Sequence, residues 1–327
     1  MRRLAALLLA FGSAAPTLAV PLAEHPPLQA IIDGLVGQDG FDRADLERLL
    51  GGAQFQQSIV DAITRPAEKM PWHRYRPIFM TQQRIDGGVA FWRQHADTLA
   101  RAERDHGVPA SIITAIIGVE TRYGAVTGRY RALDALTTLT VAGLPRSAFF
   151  GRELRELMLL GREERLDLAG LHGSYAGALG LPQFIPSSYR AYAVDFDQDG
   201  RRDLFHSTAD AIGSVANYLS RHGWEPGRPI SATATVTPAA AGLADDGLLP
   251  RLTLSELRQQ GVAAAIDSSV PAALKAALIR LDGEQGNEYH LGFQNFYAIT
   301  RYNHSALYAM AVTQLAAAIG EQHGAAP

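Results

Sequence analysis

A glutamate at the end of an apolar helical pattern is the first candidate for chemistry in this sequence. Glu120 follows Ile113, Ile116 and Ile117 by seven, four and three residues, a spacing that places all four side chains on one helix face. Because such a carboxyl group is partly desolvated, we expect it to have a raised pKa and a proton to donate to a glycosidic oxygen. An ion pair of Glu120 with Arg122 or another cation at a helix end would explain the same pattern without catalysis.

A segment rich in glycine and proline supplies a second group of candidates. Residues 173–189 contain three glycines and two prolines, which predicts a shaped loop whose backbone can approach a ligand closely. Ser174 and Gln183 lie in this segment and offer a hydroxyl and an amide for hydrogen bonding. The segment could also be a plain connector, although connectors are usually shorter and combine fewer turn residues with apolar ones.

Aromatic residues next to polar side chains form a third candidate region at residues 296–305. Ring faces cover the C–H surfaces of sugars and amides bind sugar hydroxyls, so Tyr302 and Asn303 suit a carbohydrate ligand. Core tyrosines followed by a helix cap would produce the same pattern. Tyr75, close to Trp72, belongs to another aromatic cluster with the same two interpretations.

An acidic loop that begins at Asp195 matches the first half of an EF-hand calcium loop. Oxygen ligands stand at positions 1, 3 and 5, Gly200 stands at position 6, and the next residue offers a backbone carbonyl. Position 12 is His206 instead of glutamate, so a further ligand must come from elsewhere and we expect modest affinity. A solvated acidic turn is the alternative. The predicted calcium ligands are Asp195, Asp197, Asp199, the carbonyl of Arg201, Asp203 and Asp210.

Composition narrows the class of protein. The 327 residues, 47% of them hydrophobic, can form a sizeable core, and a formal net charge of −3 lacks the basic footprint that nucleic-acid binding requires. The absence of cysteine excludes disulfides, thiolate metal sites and lipid attachment through cysteine. Residues 1–19 have the charged start, apolar run and small residues of a secretory signal, and the apolar run is too short to cross a bilayer. We therefore expect a soluble protein that acts outside the cytoplasm.

The elements predicted around these candidates are mainly helical. Apolar periodicity predicts helices over about 41–124, 210–219 and 305–319, the last ending at Gly320. Alternating runs predict strands at 230–237, 276–281 and 289–299. We therefore predict a mainly α (α+β) fold. Its parts after the signal are a helical lobe over about 41–170, the two loops over 171–223, a small mixed lobe over about 229–289, and a C-terminal segment and helix over 290–320.

Five segments together resemble the lytic murein transglycosylase B family. They occur in the family's order and span residues 118–124, 173–189, 193–205, 210–219 and 295–305. The resemblance implies a lysozyme-like helical core and a periplasmic bacterial enzyme that cleaves peptidoglycan between N-acetylmuramic acid and N-acetylglucosamine. Some members carry a lipid-attachment cysteine, and its absence here implies a soluble form. Leu181, Pro182 and an acidic loop one residue longer depart from the family pattern.

The resemblance also implies residue roles. Glu120 is expected to be the sole catalytic acid and base: it protonates the leaving oxygen and then accepts the proton of the muramic acid C6 hydroxyl, whose attack leaves a 1,6-anhydro product. This reaction needs no cofactor, and calcium is expected as a structural ion. Peptidoglycan strands are the expected partner, and cell-wall synthesis proteins a second one. The substrate-binding residues implied by the resemblance are Tyr75, Ser174, Gln183, Tyr218, Tyr302 and Asn303.

Two other functions fit some of the same residues. A hydrolytic muramidase would use a second acid, such as Asp134 or Asp195, to activate water or to stabilise the developing cation. Separation along the sequence does not exclude this arrangement. A non-catalytic wall protein would bind glycan or be stabilised by calcium, but the intact segment 118–124 around Glu120 argues against it.

Overall fold

Helices dominate the computed structural model, which describes residues 18–64 and 70–325, and the predicted mainly α fold with a small mixed lobe is confirmed. The predicted signal, residues 1–19, lies outside the described residues except for its last two. The helices are α1 (Pro26–Asp39), α2 (Arg43–Gly51), α3 (Gln57–Ile63), α4 (Trp72–Phe79), α5 (Gln82–Gln94), α6 (Ala96–His106), α7 (Ala110–Thr121), α8 (Ala132–Val141), α9 (Ser147–Glu163), α10 (Pro186–Tyr192), α11 (Thr208–Arg221), α12 (Leu254–Gln259), α13 (Gln294–Tyr302) and α14 (Ala306–Gly324). The strands are β1 (Leu18–Ala19), β2 (Gln54–Phe55), β3 (Tyr130–Arg131), β4 (His172–Gly173), β5 (Ser231–Val236), β6 (Leu252–Thr253), β7 (Val262–Ala264), β8 (Lys275–Gly283) and β9 (Gly286–Gly292).

The helix that carries Glu120 is surrounded by other helices. α7 packs against α5, α6, α11 and α14, and its residues from Ile112 to Gly118 are buried. Pro109 is the N-cap residue of this helix, one position before the first helical residue. The expectation that the helix runs to Gly124 is wrong: it ends at Thr121, because Arg122 and Tyr123 take left-handed φ angles of 51° and 61°.

The small lobe contains a five-stranded antiparallel sheet with strand order β6, β8, β9, β5, β7. Strand β8 is buried on both faces, which explains its nearly continuous apolar sequence. On one face Ala276 and Leu278 belong to a separate small core shared with α12. On the other face Ile279 and Leu281 pack into the main helical core. The sheet is therefore attached to the helical body by its own buried side chains rather than by a linker alone.

The predicted strand over 289–299 is wrong in its second half. Strand β9 ends at Gly292, and α13 follows directly. The apparent alternation over residues 296–299 also fits a helix, since Phe296 and Ile299 are three residues apart and both are buried. The fully buried side chain of Asn295 accepts the N–H of Glu225 and donates to the carbonyls of Glu225 and Arg228, which fixes the start of α13.

Two helices are longer than predicted. The C-terminal helix α14 continues past Gly320 to Gly324, because Gly320 has no left-handed φ angle that would stop it. Helix α11 starts at Thr208, where the side chain of Ser207 accepts the N–H of Asp210. A short 3₁₀ helix at Leu22–Glu24 and the first α-helix at Pro26 both begin ahead of the predicted start near residue 41.

Candidate active site

Glu120 lies half-buried in the last turn of α7, next to the first turn of α14. The hydroxyl of Tyr308 donates a hydrogen bond of 2.6 Å to Oε1 of Glu120. Tyr308 is itself buried, and the N-cap Ser305 accepts its backbone N–H. The carboxyl group is thus held by a residue that stands 188 positions later in the chain.

Two further tyrosines pack beside this pair. The ring of Tyr302 lies nearly parallel to that of Tyr308, with centroids 6.4 Å apart, and the ring of Tyr218 meets Tyr302 edge-on at 4.8 Å. Burial first, and then the charge of Glu120, raise the pKa of Tyr302 and of Tyr308 well above the usual tyrosine value. Their hydroxyls therefore stay protonated at neutral pH and can act as hydrogen-bond donors.

The end of α7 is bonded directly to the loop at residues 173–189. The hydroxyl of Thr121 lies 2.9 Å from the carbonyl oxygen of Leu181 and accepts the N–H of Gly124 at 3.1 Å. The hydroxyl of Tyr302 donates to the carbonyl oxygen of Pro182 at 2.6 Å. These contacts hold the loop against the helix terminus that carries Glu120, across about 60 residues of intervening sequence.

The loop is shaped by its own polar side chains. The hydroxyl oxygen of Ser174 accepts the N–H groups of Ala176 and Ala178, which closes a tight turn. Gln183 has a left-handed φ of 52°, and its amide nitrogen donates to the carbonyl oxygens of Thr127 and Gly180. A non-glycine residue in this conformation costs free energy, so these bonds offset a local strain.

The six predicted substrate-binding residues have different surroundings in the structure, and not all of them lie next to Glu120. Tyr302 lies next to Tyr308, which is bonded to Glu120. The hydroxyl of Tyr218 instead donates a hydrogen bond to the carbonyl oxygen of Arg301. Tyr75 is buried in α4, although its phenol is close enough to Tyr308 to influence the pKa of that residue. The half-buried Asn303 follows α13, and Ser174 and Gln183 lie in the loop at 173–189.

The acidic loop brings three of its predicted ligands together. Carboxylate oxygens of Asp195, Asp197 and Asp210 lie within 4.8 Å of one another. Asp199 accepts the N–H of Arg201, with Gln198 and Gly200 on either side of it in left-handed conformations, as the sharp turn of a calcium loop requires.

The remaining predicted carboxylate ligand has other partners. Asp203 accepts the N–H groups of Phe205 and His206 and contacts the His206 ring, and it is outside the cluster of three carboxylates. Those backbone bonds and the His206 contact outweigh partial burial and lower the pKa of Asp203.

Asp210 holds the acidic loop in place by accepting hydrogen bonds from its backbone. It is fully buried, and its carboxylate accepts the N–H groups of Phe196 at 2.6 Å, Asp197 at 3.3 Å and Asp203 at 2.7 Å. Burial raises the pKa of Asp210 despite these bonds. One carboxylate at the start of α11 thereby ties both ends of the acidic loop to that helix.

Asp134, the first candidate for a second acid, is part of a structural network. It is buried, accepts the N–H of Gln54 at 2.9 Å and the side-chain amide of Gln56 at 3.1 Å, and pairs with Arg131 at 2.7 Å. These bonds join α8 to β2. The other candidate, Asp195, lies in the acidic loop.

Tyr308 and Thr121 are the two residues of this site that sequence reasoning missed. Tyr308 lies in a helix with an apolar pattern of its own, so its spacing marks it only as a core residue. Thr121 stands next to Glu120, and nothing in its neighbourhood in sequence indicates a bond to Leu181. Only the packing of α14 and of the loop against α7 reveals both roles.

Known proteins resemble the chain over nearly its whole length. Residues 24–317 match the family described as Transglycosylase SLT domain. The membrane-bound lytic murein transglycosylase B of Escherichia coli (strain K12) is 43% identical over 309 residues, which cover 91% of this chain and 83% of that protein. The solved structure of the soluble lytic transglycosylase SltB1 from Pseudomonas aeruginosa is 48% identical, with a TM-score of 0.85, and the match covers 92% of this chain and 100% of that one.

A second solved structure bears on the acidic loop. The lytic transglycosylase Slt35 of Escherichia coli, in complex with calcium, is 40% identical with a TM-score of 0.85, over 94% of this chain and 97% of that one. These similarities confirm the predicted lysozyme-like lytic transglycosylase fold. Within the described ranges, every helix is too short or too polar to span a membrane.

Replacing Asp134 should reduce stability but not catalysis. We expect Asp134→Ala to lower the free energy of unfolding by about 1–3 kcal/mol, because Gln54, Gln56 and Arg131 lose a buried hydrogen-bond acceptor. Thermal unfolding and glycan cleavage of the purified variant measure the two quantities, and Asp134→Asn, which keeps an acceptor oxygen, should lose less stability. Loss of cleavage by an Asp134→Ala protein with normal thermal stability would instead place Asp134 in the chemistry.

Proposed function

This chain belongs to the transglycosylase SLT domain family and is a lytic murein transglycosylase, in which we propose that Glu120 is the one carboxyl group that acts as acid and base. The observation that carries the proposal is the position of Glu120 at the end of a buried helix, with its carboxyl group bonded to the hydroxyl of Tyr308. A carboxyl group held in this way can donate a proton and then accept one at the same place, which is what the reaction needs.

The reaction requires two proton transfers at one carboxyl group. Protonated Glu120 donates to the glycosidic oxygen as the bond between N-acetylmuramic acid and N-acetylglucosamine breaks. The resulting carboxylate then accepts the proton of the C6 hydroxyl of the muramic acid, whose oxygen attacks the anomeric carbon and forms the 1,6-anhydro ring. Atoms balance without water, and Glu120 returns to its protonated form.

Tyr308 is suited to support both stages. Its hydroxyl donates to Oε1 of Glu120 and so orients the carboxyl group for proton transfer. The bond also stabilises the carboxylate that forms after the first transfer. Because the pKa of Tyr308 is raised, this donor keeps its proton while Glu120 is charged.

In this proposal some of the predicted substrate-binding residues contact the sugar and the others position neighbouring groups. Tyr302 lies beside the pair of Glu120 and Tyr308, and Asn303 follows it at the end of α13. Both would contact the sugar, while Ser174 and Gln183 would act through the shape of their loop. Tyr75 and Tyr218 would position other aromatic rings, since both are buried. The substrate is the glycan strand of peptidoglycan. The location of this substrate and the signal pattern at residues 1–19 together support a periplasmic site of action.

The acidic loop would hold a calcium ion. Asp195, Asp197 and Asp210 offer carboxylates close enough to share one ion, and oxygen donors of this type suit calcium. The calcium complex of the related Slt35 supports the assignment. The ion would neutralise converging negative charges and hold the loop to α11, and it would take no part in proton transfer.

Glu120→Gln should abolish cleavage and leave the fold nearly unchanged. The amide keeps the shape of the side chain but cannot transfer a proton, so the loss should exceed the roughly 10²- to 10⁴-fold that acid–base assistance typically contributes. Release of soluble fragments from purified peptidoglycan measures it. Glu321→Gln, the same change at an exposed position, serves as the control. Near-normal turnover by Glu120→Gln would contradict the assignment of Glu120 as the acid and base.

Calcium should raise the melting temperature of the protein. An ion that binds only the native state adds about 2.7 kcal/mol of stability at a concentration 100 times its Kd, which corresponds to a shift of several degrees. Thermal unfolding of chelator-treated protein at increasing calcium tests this. Asp195→Ala should abolish the calcium-dependent shift, and Asp105→Ala, at an exposed position on α6, should keep it. An equal shift in Asp195→Ala, or no shift in the wild type, would contradict the calcium site and indicate a solvated acidic turn.

A further inference from the structure

The chain leaves α7 through a strained turn directly after Glu120. Arg122, Tyr123 and Gly124 all have left-handed φ angles, of 51°, 61° and 90°. Glycine adopts this conformation freely, but arginine and tyrosine do so at a cost in free energy, so other contacts must hold them there. Backbone strain is concentrated at functional sites, where it keeps a group in one position. The turn next to Glu120 is therefore a candidate for a device that positions its carboxyl group.

The side chain of Tyr123 holds the middle of this turn. Its hydroxyl donates to the carbonyl oxygen of Arg84 at 2.7 Å. Its ring lies against the backbone of two glycines: a Cβ atom at Gly118 would lie 2.5 Å from the hydroxyl oxygen, and one at Gly87 would lie 2.9 Å from the ring. The ring fits this slot because neither glycine has a side chain. The turn is thereby fixed to α5 and to α7.

The side chain of Thr121 joins the same turn to the loop at residues 173–189. This threonine is fully buried, and its hydroxyl oxygen accepts the N–H of Gly124 at 3.1 Å. The hydroxyl has one proton and two carbonyl oxygens in reach, that of Leu181 at 2.9 Å and that of Ile117 at 3.2 Å. A helical threonine often bonds to the carbonyl four residues earlier, here Ile117, but Leu181 is nearer. One hydroxyl thus closes the strained turn and bonds it to the loop.

The carbonyl that Thr121 reaches is held from other directions as well. The N–H of Leu181 donates to the carbonyl oxygen of Leu204 at 2.9 Å, and Leu181 is itself buried. The carbonyl of the next residue, Pro182, accepts the hydroxyl of Tyr302 at 2.6 Å. This part of the loop therefore stays in place without Thr121. The bond from Thr121 fixes the end of α7 relative to a loop that is anchored elsewhere.

We propose that Thr121 is a positioning residue for glycan cleavage, which rests on the proposed function of Glu120. Its buried hydroxyl acts through its neighbours and holds the carboxyl group of Glu120 at one distance from the loop that carries Ser174 and Gln183. Without this bond the end of α7 shifts relative to the loop, and proton transfer slows. Sugar binding is largely kept, because the loop retains its other bonds. Displacements of about 1 Å lower rates by up to about 100-fold where geometry controls a reaction.

Thr121→Val tests this role, because valine has the same branched shape but no hydroxyl. The matched control is Thr114→Val on the same helix, since Thr114 is equally buried and its hydroxyl has no hydrogen-bond partner among the described residues. On soluble glycan strands we expect kcat of Thr121→Val to fall at least about tenfold with KM nearly unchanged. Thr114→Val should keep the wild-type kcat. Thr121→Ser, which retains the hydroxyl, should recover most of it.

Thermal unfolding of each variant separates this effect from lost stability, and rates are compared per folded molecule below the lowest melting temperature. If Thr121→Val does not fold, Thr121→Cys replaces it, because a thiol is a weak donor and the chain has no other cysteine. Its kcat should lie clearly below that of Thr121→Ser.

Three results separate this role from the proposed function. Equal kcat for Thr121→Val and Thr114→Val, or for the cysteine and serine variants of Thr121, would overturn the positioning role. A loss confined to KM would overturn it as well. Near-normal cleavage by Glu120→Gln would instead overturn the proposed function, whatever Thr121→Val shows.

Discussion

Glu120 lies half-buried in the last turn of a helix whose other side chains are mostly removed from water, and a protein group supplies a hydrogen bond to its carboxyl group. Tyr308 is buried, and a buried hydroxyl without a partner costs free energy, so its bond to Glu120 stabilises the fold as well as serving the proposed chemistry. That donor is in place only when α14 packs along α7. The long C-terminal helix, its cap at Ser305 and the end of α7 therefore form one structural unit.

Most of the other hydroxyl groups around this unit donate hydrogen bonds to backbone carbonyl oxygens. Tyr302 bonds to Pro182, Tyr218 to Arg301, and Thr121 lies against Leu181. Each bond satisfies a buried hydroxyl and fixes a loop segment at the same time. The result is a preorganised site, in which groups near the carboxylate need not reorient during the reaction.

The sequence predicted those parts of the site that depend on local spacing. The face of Ile113, Ile116 and Glu120 follows from the helical repeat, and the acidic loop follows from ligand positions, so both could be identified in advance. Contacts such as Tyr308 with Glu120 join distant segments, and no local pattern encodes them. The second half of the strand predicted over 289–299 is wrong because residues 296–299 fit a helix as well as a strand, and tertiary bonds of Asn295 hold the start of that helix.

One carboxyl group suffices only if the nucleophile is already tethered to the reacting sugar, as the C6 hydroxyl is, because proximity then replaces the activation of water by a second acid. Mass spectrometry of muropeptides released by the purified enzyme in ¹⁸O-labelled water tests this directly. New muramic acid ends should be 1,6-anhydro forms, one water lighter than reducing ends and free of label. Reducing ends that carry ¹⁸O would show hydrolysis and contradict the single-carboxyl mechanism.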